Sequence, residues 1–365
     1  MGLLMERLYF TRVVHAVRKS LGKFQTGYIY RCEYQALVFH EIAAARVELG
    51  VGMVTLMGDL VGAFPKSWRE LLIVLAALAA HVVGSQLVLL KEFLRNTSLE
   101  VTCGGESIVD IHSGIPEGGM LGPLLYPLLP NMLDKMLHAA GAGIGIGTPA
   151  ASLAELVRHD ALDPASAAVF AKADAASQQR GHILLVADDQ IFPESCLLRL
   201  QAHADIVSEW ADAVRQEYHV ASPDKTTVLQ VGAAARPDVY NQSPVMLSRS
   251  PVPCALKKKW VGVLWDHLLT FQPFQLERMG AARGAFKPLA GLAAEGVVPL
   301  AEIRELMSAT VEGTLFFGAM FTYMAQDACL KLDALQLEFE RKLLGAPPWF
   351  WVAGASRCRL AVDLG

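Results

Sequence analysis

Apolar residues recur at the helical period along the first part of the chain. Between residues 3 and 22 they return every three or four positions, with arginine and lysine elsewhere, which predicts an amphipathic helix. A second helix is predicted over about 33–48, ended by Gly50 and Gly52. The short apolar run 53–57 then leads into Gly58 and Asp59. Its length and its bounding glycines predict a buried strand with an acid at its C-terminal end.

The run 71–90 is the most ambiguous apolar segment. Sixteen of its twenty residues are Ala, Val, Ile or Leu, which is close to the length that spans a bilayer. Polar residues stand in its middle (His81, Ser85, Gln86), and charged residues stand immediately outside it. A helix buried in a large domain therefore fits as well as a membrane span, and the pattern alone leaves both interpretations open.

The second half of the chain contains one segment with little apolar patterning and two with clear apolar patterns. Residues 139–180 are rich in alanine and glycine and poor in aromatics, which predicts an insertion or long connector. Residues 182–192 form an apolar run, two acids and a shorter apolar run. From 296 onward the pattern is mostly helical until Gly345.

Composition narrows the class of protein. With 365 residues, 53% of them hydrophobic and 19% charged, the chain can bury a sizeable core, so wholesale disorder is excluded. The formal net charge is −4, so any binding of nucleic acid must depend on local basic patches. The six cysteines are far apart and lack C-x-x-C spacing, which excludes a zinc ribbon and predicts reduced thiols in an intracellular protein. Glu6 and Arg7 interrupt the apolar stretch that a signal peptide needs, so secretion is not indicated.

The candidate chemistry lies in acids at predicted strand ends. The motifs of zincins, α/β-hydrolases and P-loop proteins are absent. Asp188 and Asp189, between two apolar runs, are interpreted as the tip of a hairpin, where two carboxylates converge; a solvated turn is the alternative, and base rates favour it for the pair alone. Together with Asp59, three carboxylates could gather around two Mg²⁺ ions, an arrangement suited to phosphoryl or nucleotidyl transfer.

The order of these segments resembles a known family. Across nearly its full length the chain resembles the reverse transcriptase domain of non-long-terminal-repeat (non-LTR) retrotransposons, of the long interspersed element type. Five blocks carry the resemblance: GDLVGAF (58–64), GIPEGGMLGPLLYPLLPNML (114–133), VADD (186–189), PDKTTVL (223–229) and KKKWVGVLWDHLLTF (257–271). Segments 5–28 and 332–347 resemble the fingers helix and the helical region after the palm.

The resemblance implies a role for particular residues. Asp59, Asp188 and Asp189 would be the ligands of two Mg²⁺ ions, with Mn²⁺ as a possible replacement, and Lys225 would lie near the leaving pyrophosphate. Phe64 would be the steric gate that excludes a ribose 2′-OH. The other implied substrate-binding residues are Leu60, Pro116, Glu117, Gly118 and Val186. The implied primer grip is Trp260, Val261 and Gly262.

The resemblance also implies an architecture. It predicts an α+β right-hand polymerase fold with partial fingers at 1–58, a palm at 59–271 and a helical thumb or connector region at 272–365. The palm would hold an antiparallel sheet and packed helices and would include the insertion at about 139–180. The run 71–90 would be the palm helix after the first catalytic strand, buried without a membrane.

The function implied is RNA-directed DNA polymerase: two-metal nucleotidyl transfer to a primer 3′-OH on an RNA template. The implied partners are an RNA template, a DNA primer and deoxynucleoside triphosphates, with no membrane, inside the cell in the nucleus or the cytoplasm. Ile29, Glu117 and Val186 depart from the family pattern, and the upstream fingers segment is missing, which predicts an N-terminally truncated copy.

Three hypotheses stay open at this point: an active RNA-directed DNA polymerase, an inactive reverse transcriptase relic that at most binds nucleic acid, and a membrane protein that uses 71–90 as its span. A separate question is whether the lysines at 257–259 are phosphate contacts or a solvated edge.

Overall fold

The structure of the chain is a computed structural model. The described residues are 2–22, 25, 33–95, 98–101, 107–110, 113–115, 119–145, 163–165, 168, 180–222, 224–232, 235–296, 298–319 and 326–345. The described residues within 1–261 and 267–269 form one compact unit, and those within 262–266 and 270–365 form the other.

The first unit mixes helices with a sheet. Its helices are α1 (Gly2–Ser20), α2 (Glu33–Glu48), α3 (Arg69–Leu78), α4 (Gly84–Arg95), α5 (Leu121–Leu125), α6 (Leu128–Ala139), α7 (Leu197–Val214) and α8 (Pro237–Gln242). Its strands are β1 (Met53–Gly58), β2 (Ser98–Val101), β3 (Ser107–Asp110), β4 (Ile144–Gly145), β5 (Arg180–Gly181), β6 (Leu184–Val186), β7 (Asp189–Glu194), β8 (Thr227–Val231), β9 (Met246–Leu247), β10 (Ser250–Pro251), β11 (Cys254–Ala255) and β12 (Lys257–Trp260). The α+β class predicted from the sequence is confirmed. The helices predicted over 3–22 and 33–48 and the strand over 53–57 are also confirmed, as α1, α2 and β1.

A five-stranded sheet organises the first unit. Its strand order is β11-β8-β1-β7-β6, and β1 lies antiparallel to both β7 and β8. All six residues of β1 are buried, as a central strand covered on both faces requires. The register pairs Gly58 with Gln190 and Met57 with Thr227. The residue after Gly58 therefore emerges beside the beginning of β7.

Helices cover the sheet on both faces. Successive side chains of β1 point to opposite faces; Val54 and Leu56 join the core that includes Trp210 of α7. The Trp210 indole N–H donates to the carbonyl of Leu129 on α6 at 3.2 Å, which ties the two covering helices together. Helix α2 packs against β1 and β6. Burial on both faces holds the end of β1 rigidly.

The prediction of one helix over 71–90 is wrong. The run forms α3 and the first part of α4, separated by residues 79–83. His81 and Gly84 have φ angles of +53° and +60°, in the left-handed region that ends a right-handed helix. The break lets Val82 enter the core at 1% exposure, although Leu78 remains 72% exposed. No helix in the described part of the chain is long and apolar enough to cross a membrane.

The second unit is mostly helical. Strand β13 (Val263–Asp266) precedes α9 (Gln272–Glu295), α10 (Leu300–Leu306), a π-helix (Met307–Glu312), α11 (Gly313–Leu315) and α12 (Gln326–Leu343). Its core includes Phe286 of α9 stacked on Phe339 of α12, with ring centroids 4.3 Å apart. The helical pattern predicted from 296 onward is confirmed for the described residues. The fingers, palm and thumb boundaries stay a prediction, and most of the 139–180 insertion lies outside the described residues.

The close approach at Gly114 generates the first testable prediction. Gly114 has φ +75°, and a Cβ there would lie 2.2 Å from the Pro65 carbonyl oxygen, a backbone atom that cannot rotate away. Gly141 has a similar φ of +65° with open space around it. Gly141→Ala should therefore cost only the left-handed conformation, about 1–2 kcal/mol. Gly114→Ala should cost about 1–3 kcal/mol more, from overpacking.

Urea unfolding of both variants measures this difference in the free energy of unfolding. Equal losses for the two substitutions would contradict the packing of residues 113–115 against the segment after β1.

Candidate active site

The predicted acidic hairpin is present. Val186 of β6 pairs with Asp189 of β7, so Ala187 and Asp188 form a two-residue turn. Ala187 has φ +59°, whereas Asp188 is outside the left-handed region, the pattern of a type II′ hairpin turn. Glycine is the usual residue at that first position, so alanine there stores backbone strain. Strained turns of this kind concentrate at functional sites.

The register of the sheet brings the third acid to this turn. Asp59 follows β1, and β1 runs antiparallel to β7 with Gly58 opposite Gln190. Gly58 is needed there because the Tyr218 ring lies 2.8 Å from where a Cβ would stand. The Asp59 backbone is fixed at both ends: its N–H donates to the Thr226 hydroxyl at 3.2 Å, and its carbonyl accepts the His219 N–H at 2.9 Å.

The three carboxylates influence one another electrostatically. The pKa of Asp189 is raised to about 6, first by burial and then by the negative charges of Asp188 and Asp59, in that order of importance. Lys258 and Lys225 oppose this rise in the pKa of Asp189. The Lys225 ammonium lies 3.3 Å from Asp59 Oδ2, so a lysine from the 223–229 block pairs with an acid from the 58–64 block.

The sequence grouped Lys258 with Lys257 and Lys259 and did not separate it from them. The Lys258 Nζ donates to the backbone carbonyls of both Asp224 and Lys225, each at 2.5 Å. Burial lowers the pKa of Lys258, while the negative charges of Asp59 and Asp189 raise it. Lys257 and Lys259 are exposed. The alternation of side chains along a strand would have identified Lys258 as the inward-facing lysine, because it shares a strand face with the buried Trp260.

The donor set suits a hard cation. Carboxylate oxygens are the ligands that Mg²⁺ prefers, and Asp59 Oδ2 is buried without a hydrogen bond, 3.3 Å from the Lys225 ammonium. Among the described residues, no three His, Cys, Asp or Glu side chains are already placed to hold one metal ion. Like charges repel one another, so the convergence of these acids around one position would need the charge of a bound cation.

The substrate-binding residues inferred from the resemblance divide into two groups. The Phe64 ring is half-buried and packs on Tyr126 with centroids 4.8 Å apart, and the Phe64 carbonyl accepts the Ile115 N–H at 2.9 Å. Leu60 is buried and Val186 is partly buried beside the acidic turn. The structure thus brings the start of the 114–133 block to Phe64. Pro116, Glu117 and Gly118 lie outside the described residues.

The three primer-grip candidates lie at the end of β12 and just beyond it. Trp260 is 4% exposed and packs edge-on against Phe39 of α2, with centroids 6.0 Å apart. Val261 and Gly262 have φ angles of +50° and +76°, so the chain turns sharply there. Trp260 therefore anchors the strand through its ring, and the primer-grip role stays a prediction.

The amino-acid sequence of the chain is also similar to that of a known polymerase. The chain is related to the reverse transcriptases of non-LTR retrotransposons, which confirms the resemblance found in the sequence. It is similar to the RNA-directed DNA polymerase from mobile element jockey of Drosophila funebris, with 23% identity over 376 residues. The alignment covers 99% of this chain and 36% of that protein, so the chain spans about a third of its relative's length. No family model matches the chain.

The raised pKa of Asp189 predicts a dependence of stability on pH. A carboxyl whose pKa is higher in the folded than in the unfolded chain destabilises the fold as the pH rises from about 4 through about 6, where it ionises. In the absence of divalent ions, Asp189→Asn should therefore raise the free energy of unfolding near neutral pH by up to about 3 kcal/mol. The gain should shrink as the pH falls towards about 4.

Denaturant unfolding across this pH range measures the effect, with the exposed Asp212→Asn as the matched control. Mg²⁺ should stabilise the wild-type protein and not Asp189→Asn. A variant that is no more stable than the wild-type protein at neutral pH would contradict the crowding of charges at the turn.

Proposed function

We propose that the chain is the polymerase part of a reverse transcriptase, which extends a primer 3′-OH with deoxynucleotides on an RNA template. The observation that carries the proposal is the antiparallel register of β1 and β7, which brings Asp59 to the Asp188–Asp189 turn at one edge of the sheet. The relationship to a retrotransposon RNA-directed DNA polymerase supports it.

The proposed reaction depends on divalent metal ions held by these acids. Asp59, Asp188 and Asp189 would hold two Mg²⁺ ions, or Mn²⁺ in their place. When bound, such ions lower the pKa of the attacking hydroxyl and stabilise charge on the triphosphate. The buried Asp59 Oδ2, which accepts no hydrogen bond, is the ligand atom that a cation would satisfy.

The chain's own groups would complete the site. Lys225 would leave Asp59 for the departing pyrophosphate and stabilise its charge or donate a proton to it. Lys258 would hold the Lys225 backbone in place through its two carbonyl contacts. Phe64, braced by Tyr126, would exclude a ribose 2′-OH, and Leu60 and Val186 would bound the nucleotide site.

The wider assignment follows from the same relationship. The proposal places the chain in the right-hand polymerase fold, with fingers over 1–58, a palm over 59–271 and a thumb from 272. Pro116, Glu117 and Gly118 would contact the incoming nucleotide, and Trp260, Val261 and Gly262 the primer. An RNA template, a DNA primer and deoxynucleoside triphosphates would be the partners, in the nucleus or the cytoplasm.

A second candidate function is that of an inactive relative that binds nucleic acid. The observation in its favour is that no metal-ligand group of three is already assembled among the described residues. The ion pair between Lys225 and Asp59 would then be a permanent structural contact.

Primer extension separates the two candidates. The wild-type protein with Mg²⁺ or Mn²⁺ should extend a DNA primer on an RNA template. Asp188→Asn with Asp189→Asn should reduce the rate by at least about a thousandfold, because the ligands of the ions are lost. Asp212→Asn, an exposed acid on α7, should leave the rate unchanged. If the folded wild-type protein extends nothing yet binds RNA, the inactive candidate is correct.

The steric role of Phe64 has its own test. Phe64→Val should lower the preference for deoxynucleotides over ribonucleotides by about tenfold or more, because the ring that would meet the 2′-OH is removed. Phe64→Tyr keeps the ring and should keep the preference. The measurement is the ratio of kcat/KM for the two nucleotides, and an unchanged ratio in Phe64→Val would overturn the assignment.

A further inference from the structure

Helix α1 presents an outer face that is entirely basic or neutral. Its inner side contributes Tyr9, Val13 and Val17 to the core, each no more than 7% exposed. The exposed cations on the other side are Arg7, Arg12, Arg18 and Lys19.

The helix has a single acidic residue, and its carboxylate makes a hydrogen bond away from the outer face. Glu6 is 6% exposed and accepts the backbone N–H of Leu121 at the start of α5, at 2.9 Å. The same carboxylate lies against Gly119, where a Cβ would be 2.5 Å from Oε1. Glu6 therefore joins α1 to the 114–133 block, and no carboxylate is left to neutralise the outer face of the helix.

The four cations are not ion-paired. In the described part of the chain, none of them lies within ion-pair or hydrogen-bond distance of a partner. Cations elsewhere behave differently: Lys66 pairs with Glu217 at 2.9 Å and Arg199 with the buried Glu194 at 3.0 Å. Like charges on one helix face repel each other, and a bound polyanion would relieve this repulsion.

A cavity opens beside this face. It has a volume of about 320 Å³ and lies between α1, which contributes Phe10 and Arg18, and the start of α5, which contributes Met120 and Pro123. Cavities of about this size are typical of sites for small molecules. An aromatic ring and a guanidinium beside apolar walls are the groups on which unpaired bases stack.

We propose that the outer face of α1 and this cavity form a binding site for single-stranded nucleic acid. Arg7, Arg12, Arg18 and Lys19 contact phosphates, and one unpaired base enters the cavity against Phe10. Arg7 and Arg18 are eleven residues apart, about 16 Å along the helix, so the strand lies along α1. The site deepens the proposed function, since its choice of nucleic acid over other polyanions rests on that function.

The alternatives have less support in the structure. A membrane surface would need large apolar residues among the cations. Among the described side chains of this face, Leu8 is the one large apolar side chain that is half exposed. An acidic protein would satisfy the charges and would leave the cavity without an occupant.

Fluorescence anisotropy of labelled single-stranded RNA and DNA, with the full chain in EDTA and at several salt concentrations, tests the site. Arg12→Gln with Arg18→Gln should weaken binding at least about tenfold at low salt and reduce the slope of log K against log salt by about 1–2. Lys287→Gln with Lys331→Gln, exposed lysines of the second unit that remove the same charge, should have little effect. Phe10→Leu, which keeps an apolar side chain but no ring, should weaken binding without changing the slope.

Each outcome decides the proposal. Equal binding by the α1 variant and the control variant would overturn it, as would an α1-dependent preference for phosphatidylserine vesicles over RNA. EDTA chelates divalent metal ions, so RNA binding is measured without polymerisation. A chain that fails in primer extension can therefore still be used to test the site. A chain that extends primers but binds RNA equally well with either pair of substitutions would refute this site alone.

Discussion

The antiparallel pairing of β1 with β7 and β8 is the constraint on which the rest of the structure depends. Opposite Gln190, Gly58 delivers Asp59 to the acidic turn, and on the other side Thr227 opposite Met57 delivers Lys225 and Thr226 to the same residue. A slip by one residue would send the apolar side chains of β1 to the wrong faces. Since β1 is buried on both faces, the packing that stabilises the fold also sets the positions of the charged groups.

The same pairing creates an electrostatic cost at the edge of the sheet. Three carboxylates from two neighbouring strand ends share a partly buried region, and the pKa of Asp189 rises to about 6 because of burial and its neighbours. Lys225 and Lys258 reduce the cost, one by an ion pair with Asp59 and the other through its charge while it bonds to backbone carbonyls. The two lysines balance this repulsion only in part, and a divalent cation held by the acids, as proposed, would relieve the remainder.

Local patterns predicted the parts of the site that depend on neighbouring residues. The strand before Asp59 and the hairpin at Asp188 and Asp189 are both visible as short apolar runs beside acids, and both are present. Long-range packing decided the rest. The run 71–90 is uniformly apolar in sequence, yet it breaks where Val82 enters the core, and no periodicity marks that residue. Lys258 looks like its two neighbours until the burial of Trp260 shows which face of β12 is turned inward.

The net charge does not describe the surface of this molecule, because acidic and basic side chains are concentrated in different places. The formal charge of −4 argues against nucleic-acid binding only if the acids and cations are mixed over the surface. Instead, the one acid of α1 is buried at the start of α5, which leaves cations as the charged groups exposed on that helix. Glu194, similarly buried, neutralises Arg199. An acidic chain thereby keeps a basic surface, because a buried hydrogen bond has removed the acid that would otherwise cancel its charge.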